Sequence, residues 1–184
     1  MLKANGRDPR GRSRAVPLSA REHMKIRVFE EFDQEEVVAL WTRCGLLRPW
    51  NDPRKDIARK LEVQRELFMV GEIDGRLVAA VMAGYEGHRG WVNYLAVEPE
   101  LQGQGLGRQM MAEVERGLAE HGCPKASLQI RRGNLGIVKF YRELGYAEDD
   151  VISMGKRLVH DDVREGDPEQ EVRGRAEKTR GPRS

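Results

Sequence analysis

Gln102-Gly103-Gln104-Gly105-Leu106-Gly107-Arg108 sets three glycines at alternate positions, after an apolar stretch and before a run of helical periodicity. Without Cβ atoms, such a segment lets backbone amides approach a ligand and adopt torsions that L side chains resist. The first amides of a helix have no partner within it, and the helix dipole favours an anion there. The chemistry suited to this spacing is the holding of a phosphate or pyrophosphate by main-chain N–H groups. Two common nucleotide motifs do not fit: a dinucleotide fingerprint starting at Gly103 needs glycine where Arg108 stands, and a Walker loop needs Gly-Lys-Ser/Thr, whereas Gly107 precedes Arg108 and Gln109. A turn that only packs a helix on a strand would need one glycine, not three in five residues.

Periodicity and turn chemistry predict the elements that position this loop. Ile26 to Phe29 reads as a strand, and Asp33 with Glu36 has capping-box spacing for a helix running to Cys44 and stopped by Gly45. Asp52-Pro53 opens a second helix. Strands over Leu67 to Ile73 and Arg76 to Tyr85 flank Asp74-Gly75, a favoured hairpin turn. Leu77 to Ala83 is apolar throughout, which predicts cover on both faces. Trp91 to Glu98 is a strand ended by Pro99, and Leu106, Met110, Val114 and Leu118 mark one face of a helix over Gly105 to Glu120. Lys125 to Ile130 then reads as a strand, Asn134 to Leu144 as a helix and Val151 to Leu158 as a last strand. The order β-α-α-β-β-β-α-β-α-β predicts an α/β (α+β) fold, a mixed and mostly antiparallel central sheet with helices on both faces.

The chain has 184 residues, of which 39% are hydrophobic and 34% charged. That thin apolar fraction is local to the ends, since residues 24 to 160 are about 45% apolar, a normal core. Residues 1 to 23 carry six Lys/Arg against two Asp/Glu and read as a disordered basic extension, and 161 to 184 read as a disordered charged tail. The middle is near neutral, so net charge gives no support to a nucleic-acid role. Cys44 and Cys123 are too few for a disulfide framework and share no metal-ligand spacing with His23, His88, His121 and His160. No metal is expected. The longest apolar run falls far short of a membrane span, and a cytoplasmic protein, monomer or homodimer, is expected.

The glycine loop and two neighbouring blocks together resemble the GNAT acetyltransferases. That family's pyrophosphate loop has the form Gln/Arg-x-x-Gly-x-Gly/Ala after a strand ending in Val-x-Pro, here Leu95-Ala96-Val97-Glu98-Pro99 followed by Gln102 to Gly107. The second block is the helix opened by Asn134 and ending Phe140-Tyr141-Arg142-Glu143-Leu144-Gly145-Tyr146. The resemblance covers about residues 24 to 160, and Arg48-Pro49-Trp50-Asn51-Asp52 and Gly87-His88-Arg89-Gly90 are similar to small bacterial YpeA-type members.

The resemblance implies acetyl-CoA as cosubstrate and a primary amine as acceptor, by direct attack in a ternary complex. It further implies that the backbone amides of Gln104, Gly105, Gly107 and Arg108, with Gly103 nearby, hold the pyrophosphate, that Gln102 belongs to the same cofactor site, and that the main chain of Leu95 and Val97 pairs with the pantetheine arm as an added strand. A backbone amide between Tyr94 and Val97 polarises the thioester oxygen. Tyr141 protonates the departing thiolate; its ordinary pKa of about 10 lies near that of a thiol. Asn134 contacts the pantetheine or is simply the helix N-cap. Where N-terminal acetyltransferases of the family carry a glutamate, this chain has Gln129 in Leu128-Gln129-Ile130. Glu98 stands as the substitute base, with Glu72 and Glu86 behind it. Arg48, Trp50 and Tyr85 are the acceptor-binding candidates. Two rival readings are a non-catalytic acyl-CoA-binding sensor or assembly protein of the same fold, and a nucleic-acid-associated protein acting through its basic arm.

Overall fold

The computed structural model describes residues 24–159 and 161. The basic extension, the tail beyond Asp161, His23 and His160 lie outside the described residues. Five strands form one sheet in the order β1-β2-β3-β4-β5: β1 Lys25–Val28, β2 Phe68–Ile73, β3 Arg76–Tyr85, β4 Gly90–Val97 and β5 Ala126–Leu128. The first four are antiparallel and β5 runs parallel to β4. Asp74 and Gly75 both take positive φ, 52° and 74°, as a two-residue hairpin turn requires.

Among the described residues, four α-helices cover the sheet: α1 Gln34–Arg43 and α2 Pro53–Leu61 on one face, α3 Leu106–Glu120 and α4 Leu135–Glu143 on the other. Every residue from Leu77 to Ala83 is buried, because β3 is the middle strand and both its faces are covered. A bulge at Val78, opposite the step from Gly71 to Glu72, switches the alternation: Leu77, Ala80 and Met82 join the α1/α2 core, while Val78, Val81 and Ala83 join the α3 core.

Local signals were mostly followed. The Asp52 side chain accepts from the amides of Arg54 and Lys55 and caps α2, with Pro53 in its first turn. The Asp33 cap is a correction, because its carboxylate turns backward. It accepts from the Glu30 amide at 2.8 Å and from Arg27 through both oxygens at 2.7 Å, so it fixes the entry to α1 rather than capping amides ahead of it. β5 is also shorter than expected, and Val151 to Leu158 forms no strand. A strand needs a partner ladder, and β5 offers three residues. Side chains hold the segment instead, through Lys125 to Asp149, Gln129 to Ser153 and Arg157 to Asn51. Val151, Ile152, Met154 and Leu158 consequently stay exposed.

Candidate functional site at the parting of β4 and β5

The two parallel strands pair only at Gly90 with Ala126, Trp91 with Ser127 and Val92 with Leu128, and beyond that point they part. On its other side, β4 carries two residues, Tyr94 and Leu95, against the single Val81 of β3. This is a β-bulge, and Tyr94 sits there at φ 53°, a conformation that costs a bulky L residue about 1–2 kcal/mol. Its ring stacks on Trp41, with centroids 4.3 Å apart, and its hydroxyl donates to Asp56 Oδ2 at 2.7 Å. Burial beside Asp56 pushes the Tyr94 phenol up to about 12. An aromatic pair contributes about 0.5–1.5 kcal/mol and a hydrogen bond to a charged group about 1.5–3, enough together to offset the strain.

The Glu98 amide donates to Val78 O at 2.8 Å, which sets the side on which alternate residues of β4 bond. Ala96 and Glu98 therefore face β3, and the main-chain groups of Val97 and Leu95 turn to the open side. Gln102 Nε2 and Cys44 Sγ both donate to the Val97 carbonyl, at 3.0 and 3.3 Å. The end of α1, the end of β4 and the glycine loop thus meet at one point, outside the carboxyl ends of the parallel pair, where open α/β sheets bind ligands.

The glycine loop fits a phosphate group. Gly103 and Gly105 take φ of 72° and 87°, and a Cβ built on either would find nothing within 4 Å, so the space above both is open. Gly105 is the N-cap of α3 and no side chain caps that terminus. The first-turn amides keep their capacity for an anion. Gly107 does something further: a Cβ there would lie 3.2 Å from Phe140 Cζ, so its absence lets α4 close onto the start of α3. Gln104 donates to Glu100 O at 3.3 Å while its Oε1 is buried without a partner, and Arg108 is exposed at the loop's end.

Tyr141 lines an open groove of about 1850 Å³ along β5, together with Asn93, Leu128 and Arg131. Its ring meets Phe140 and Tyr146 edge-on, at 5.0 and 5.6 Å, and burial alone pushes the phenol up to about 12. That is a weaker acid than the unperturbed side chain, held protonated across the neutral range. Asn134 precedes α4 but makes no side-chain cap, so the simple N-cap explanation of its type does not hold.

The three carboxylates weighed as the base are each engaged. Glu98 is 3% exposed, and its oxygens accept from Arg43 Nε and Nη2 at 2.8–3.2 Å, with Arg76 at 3.4 Å. Glu72 accepts from Arg27, and Glu86 from the amides of His88 and Arg89 in its own turn. The acceptor candidates are close to their own loops. Arg48 donates to the carbonyls of Gly45 and Leu47, Tyr85 donates to Gly87 O, and Trp50 is half-buried. Sequence reasoning missed Arg43, Trp41 and Asp56, which lie on helix faces that read as ordinary packing or solvation. Among the described residues, no group of three or more His, Cys, Asp or Glu is placed to hold a metal, and no helix is long and apolar enough to cross a membrane.

Residues 27–146 match the family model described as the acetyltransferase (GNAT) family. The chain is 46% identical over 138 residues to acetyltransferase YE1169 of Yersinia enterocolitica serotype O:8, a match covering 75% of this chain and 98% of that protein. Among solved structures, it superposes with TM-score 0.61 at 22% identity on AAC(6')-Iy in complex with the bisubstrate analogue CoA-S-monomethyl-acetylneamine, over 74% of this chain and 99% of that one. It matches the ribosomal-protein-S18-alanine N-acetyltransferase of Escherichia coli with TM-score 0.58, also at 22% identity, over 69% and 79% of the two chains. At that identity the two superpositions establish a shared fold.

Proposed function

The chain belongs to the GNAT acetyltransferase family, and from that premise we propose that it transfers the acetyl group of acetyl-CoA to a primary amine by direct attack in a ternary complex at the opening between β4 and β5. The observation that carries the reading is the convergence there of an uncapped glycine-rich helix start, an open strand edge and a bulge. Acetyl-CoA supplies an activated thioester. The amides of Gly105, Gly107 and Arg108 hold its pyrophosphate, with Gly103 and Gln104 shaping the approach. Gln102 contributes by fixing the Val97 carbonyl. The main chain of Leu95 and the amide of Val97 receive the pantetheine as a strand would, and Asn134 reaches it from the start of α4. A bulge amide stabilises negative charge on the thioester oxygen as the amine attacks.

Tyr141 donates a hydrogen bond to the departing sulfur. With a phenol at about 12 against a thiol near 8.5, stabilisation by the bonded proton is favoured over complete transfer. Glu98 is a clamp between α1 and β4 rather than the base, and the amine loses its proton to solvent. Arg48, Trp50 and Tyr85 border the acceptor side. The fold relatives named for an alanine N-terminus and solved with an acetylneamine analogue support amine acceptors of either size. Free Cys44 and Cys123 suit a reducing cytoplasm.

The test is CoA release from acetyl-CoA over a panel of small amines, peptide N-termini and lysine peptides, comparing wild type with Tyr141→Phe. The expected result is turnover of at least one class, with kcat lowered about tenfold or more in the variant and acetyl-CoA affinity kept. Binding of acetyl-CoA with no turnover across the panel would instead support the sensor reading.

A further inference from the structure

We infer that Trp41 and Asp56 are positioning residues for acetyl transfer, acting through Tyr94 to hold the β4 bulge in the geometry that aims its amide. The inference rests on the function proposed above and extends it to side chains of α1 and α2 on the opposite side of the sheet from α3. Tyr94 is one of three non-glycine residues at positive φ among the described residues, and it is the one in the interior of a strand. The other two, Gln64 and Asp74, sit in turns, where such torsions are common.

A strained torsion in a sheet persists only when its surroundings over-determine it, and it is a pointer to function. Here the surroundings are specific. Trp41 of α1 stacks on the Tyr94 ring at 4.3 Å and 21°, and Asp56 of α2 accepts from its hydroxyl at 2.7 Å. Trp41 is itself fully buried, wedged against Phe68. Asp56 is steadied by Arg59 at 3.1 Å. Tyr94 is therefore gripped at the face of its ring and at its tip, while its backbone forms the bulge against β3, just past the last residue of β4 that pairs with β5. The Tyr94–Leu95 peptide can be aimed at a substrate only while that grip holds. An isolated loop amide would swing among several orientations and lose the preorganisation that makes such a donor effective.

The experiment is a double-mutant cycle on the full chain with Tyr94→Phe and Asp56→Ala, together with Asp56→Asn, which retains an acceptor oxygen for the hydroxyl. Steady-state kcat and the acetyl-CoA KM are read with the best amine of the panel, and thermal midpoints are recorded in parallel. The expected result is a kcat about tenfold lower in each single variant and no lower in the double, since the Tyr94–Asp56 bond is the one that both remove. KM for acetyl-CoA stays within about twofold, and Asp56→Asn recovers most of the rate. Midpoints that fall while kcat stays at the wild-type value would show a merely structural contact and overturn the inference. So would KM rising in step with the loss of rate, or a double variant that loses the product of the two effects. A wild type that binds acetyl-CoA and acetylates nothing would overturn the proposed function, and the positioning role with it.

Discussion

Glu98 accepts from the Arg43 guanidinium through both oxygens, which leaves little capacity for a proton taken from an amine. Glu98→Gln is expected to lower the thermal midpoint by several degrees, because a buried partner is lost, while kcat stays within about threefold of wild type. A hundredfold loss of kcat with the fold intact would reinstate Glu98 as the base. The same assignment fixes the pH dependence. With no enzyme carboxylate taking the proton, kcat/KM should climb about tenfold per pH unit toward the amine's own pKa near 10. A plateau beginning below pH 7 would reveal an enzymic base. Tyr141 adds no alkaline limb in that range, since its folded pKa of about 12 keeps it protonated throughout. The open, uncapped geometry of the glycine loop could be read directly, because few other conformations require that spacing. The engagement of Glu98 could not, since nothing local to Glu98 announces Arg43, fifty-five residues away.

Elements were legible wherever a local rule decides them. Asp52-Pro53 and Asp74-Gly75 each have one favourable geometry, and the unbroken apolar run of β3 has one favourable location. The bulge at Tyr94 was not legible, because a tyrosine is a poor local choice for positive φ and is held there by α1 and α2. The last strand shows the reverse case, in which propensity favours a ladder that tertiary context does not supply. Between elements, His121 near the end of α3 bonds the Gly117 carbonyl at 2.8 Å and Glu66 at 2.9 Å, tying α3 to the turn that leads into β2. The carbonyl, then Glu66, raises the His121 pKa above its ordinary value. A raised folded pKa means that the stabilisation is complete below pH 6.5 and fades as pH climbs through the folded value. The difference in thermal midpoint between wild type and His121→Gln should therefore be greatest below pH 6.5 and shrink as the pH rises above it. A difference independent of pH would show that charge plays no part.

For the whole molecule, the polar ends conceal an ordinary core. Asp161, where the sequence places the start of the charged tail, is buried at 7% and ion-paired with Arg59, while the Asp52 amide donates to it at 3.4 Å. The described chain thus closes its far end onto the loop between α1 and α2, the side assigned to the acceptor. Under the proposed reading the remaining surface of the site belongs to the donor, and it depends on backbone rather than on side-chain charge. That dependence is tested most directly by calorimetric titration of acetyl-CoA into the full-length protein and into Gly105→Leu, whose side chain would occupy the open space above the amides and force a left-handed leucine. The account predicts saturable binding to wild type and an affinity at least about tenfold weaker in the variant, with its circular dichroism spectrum unchanged. Equal affinities in two folded proteins would contradict it, and would place the donor somewhere other than the parting of β4 and β5.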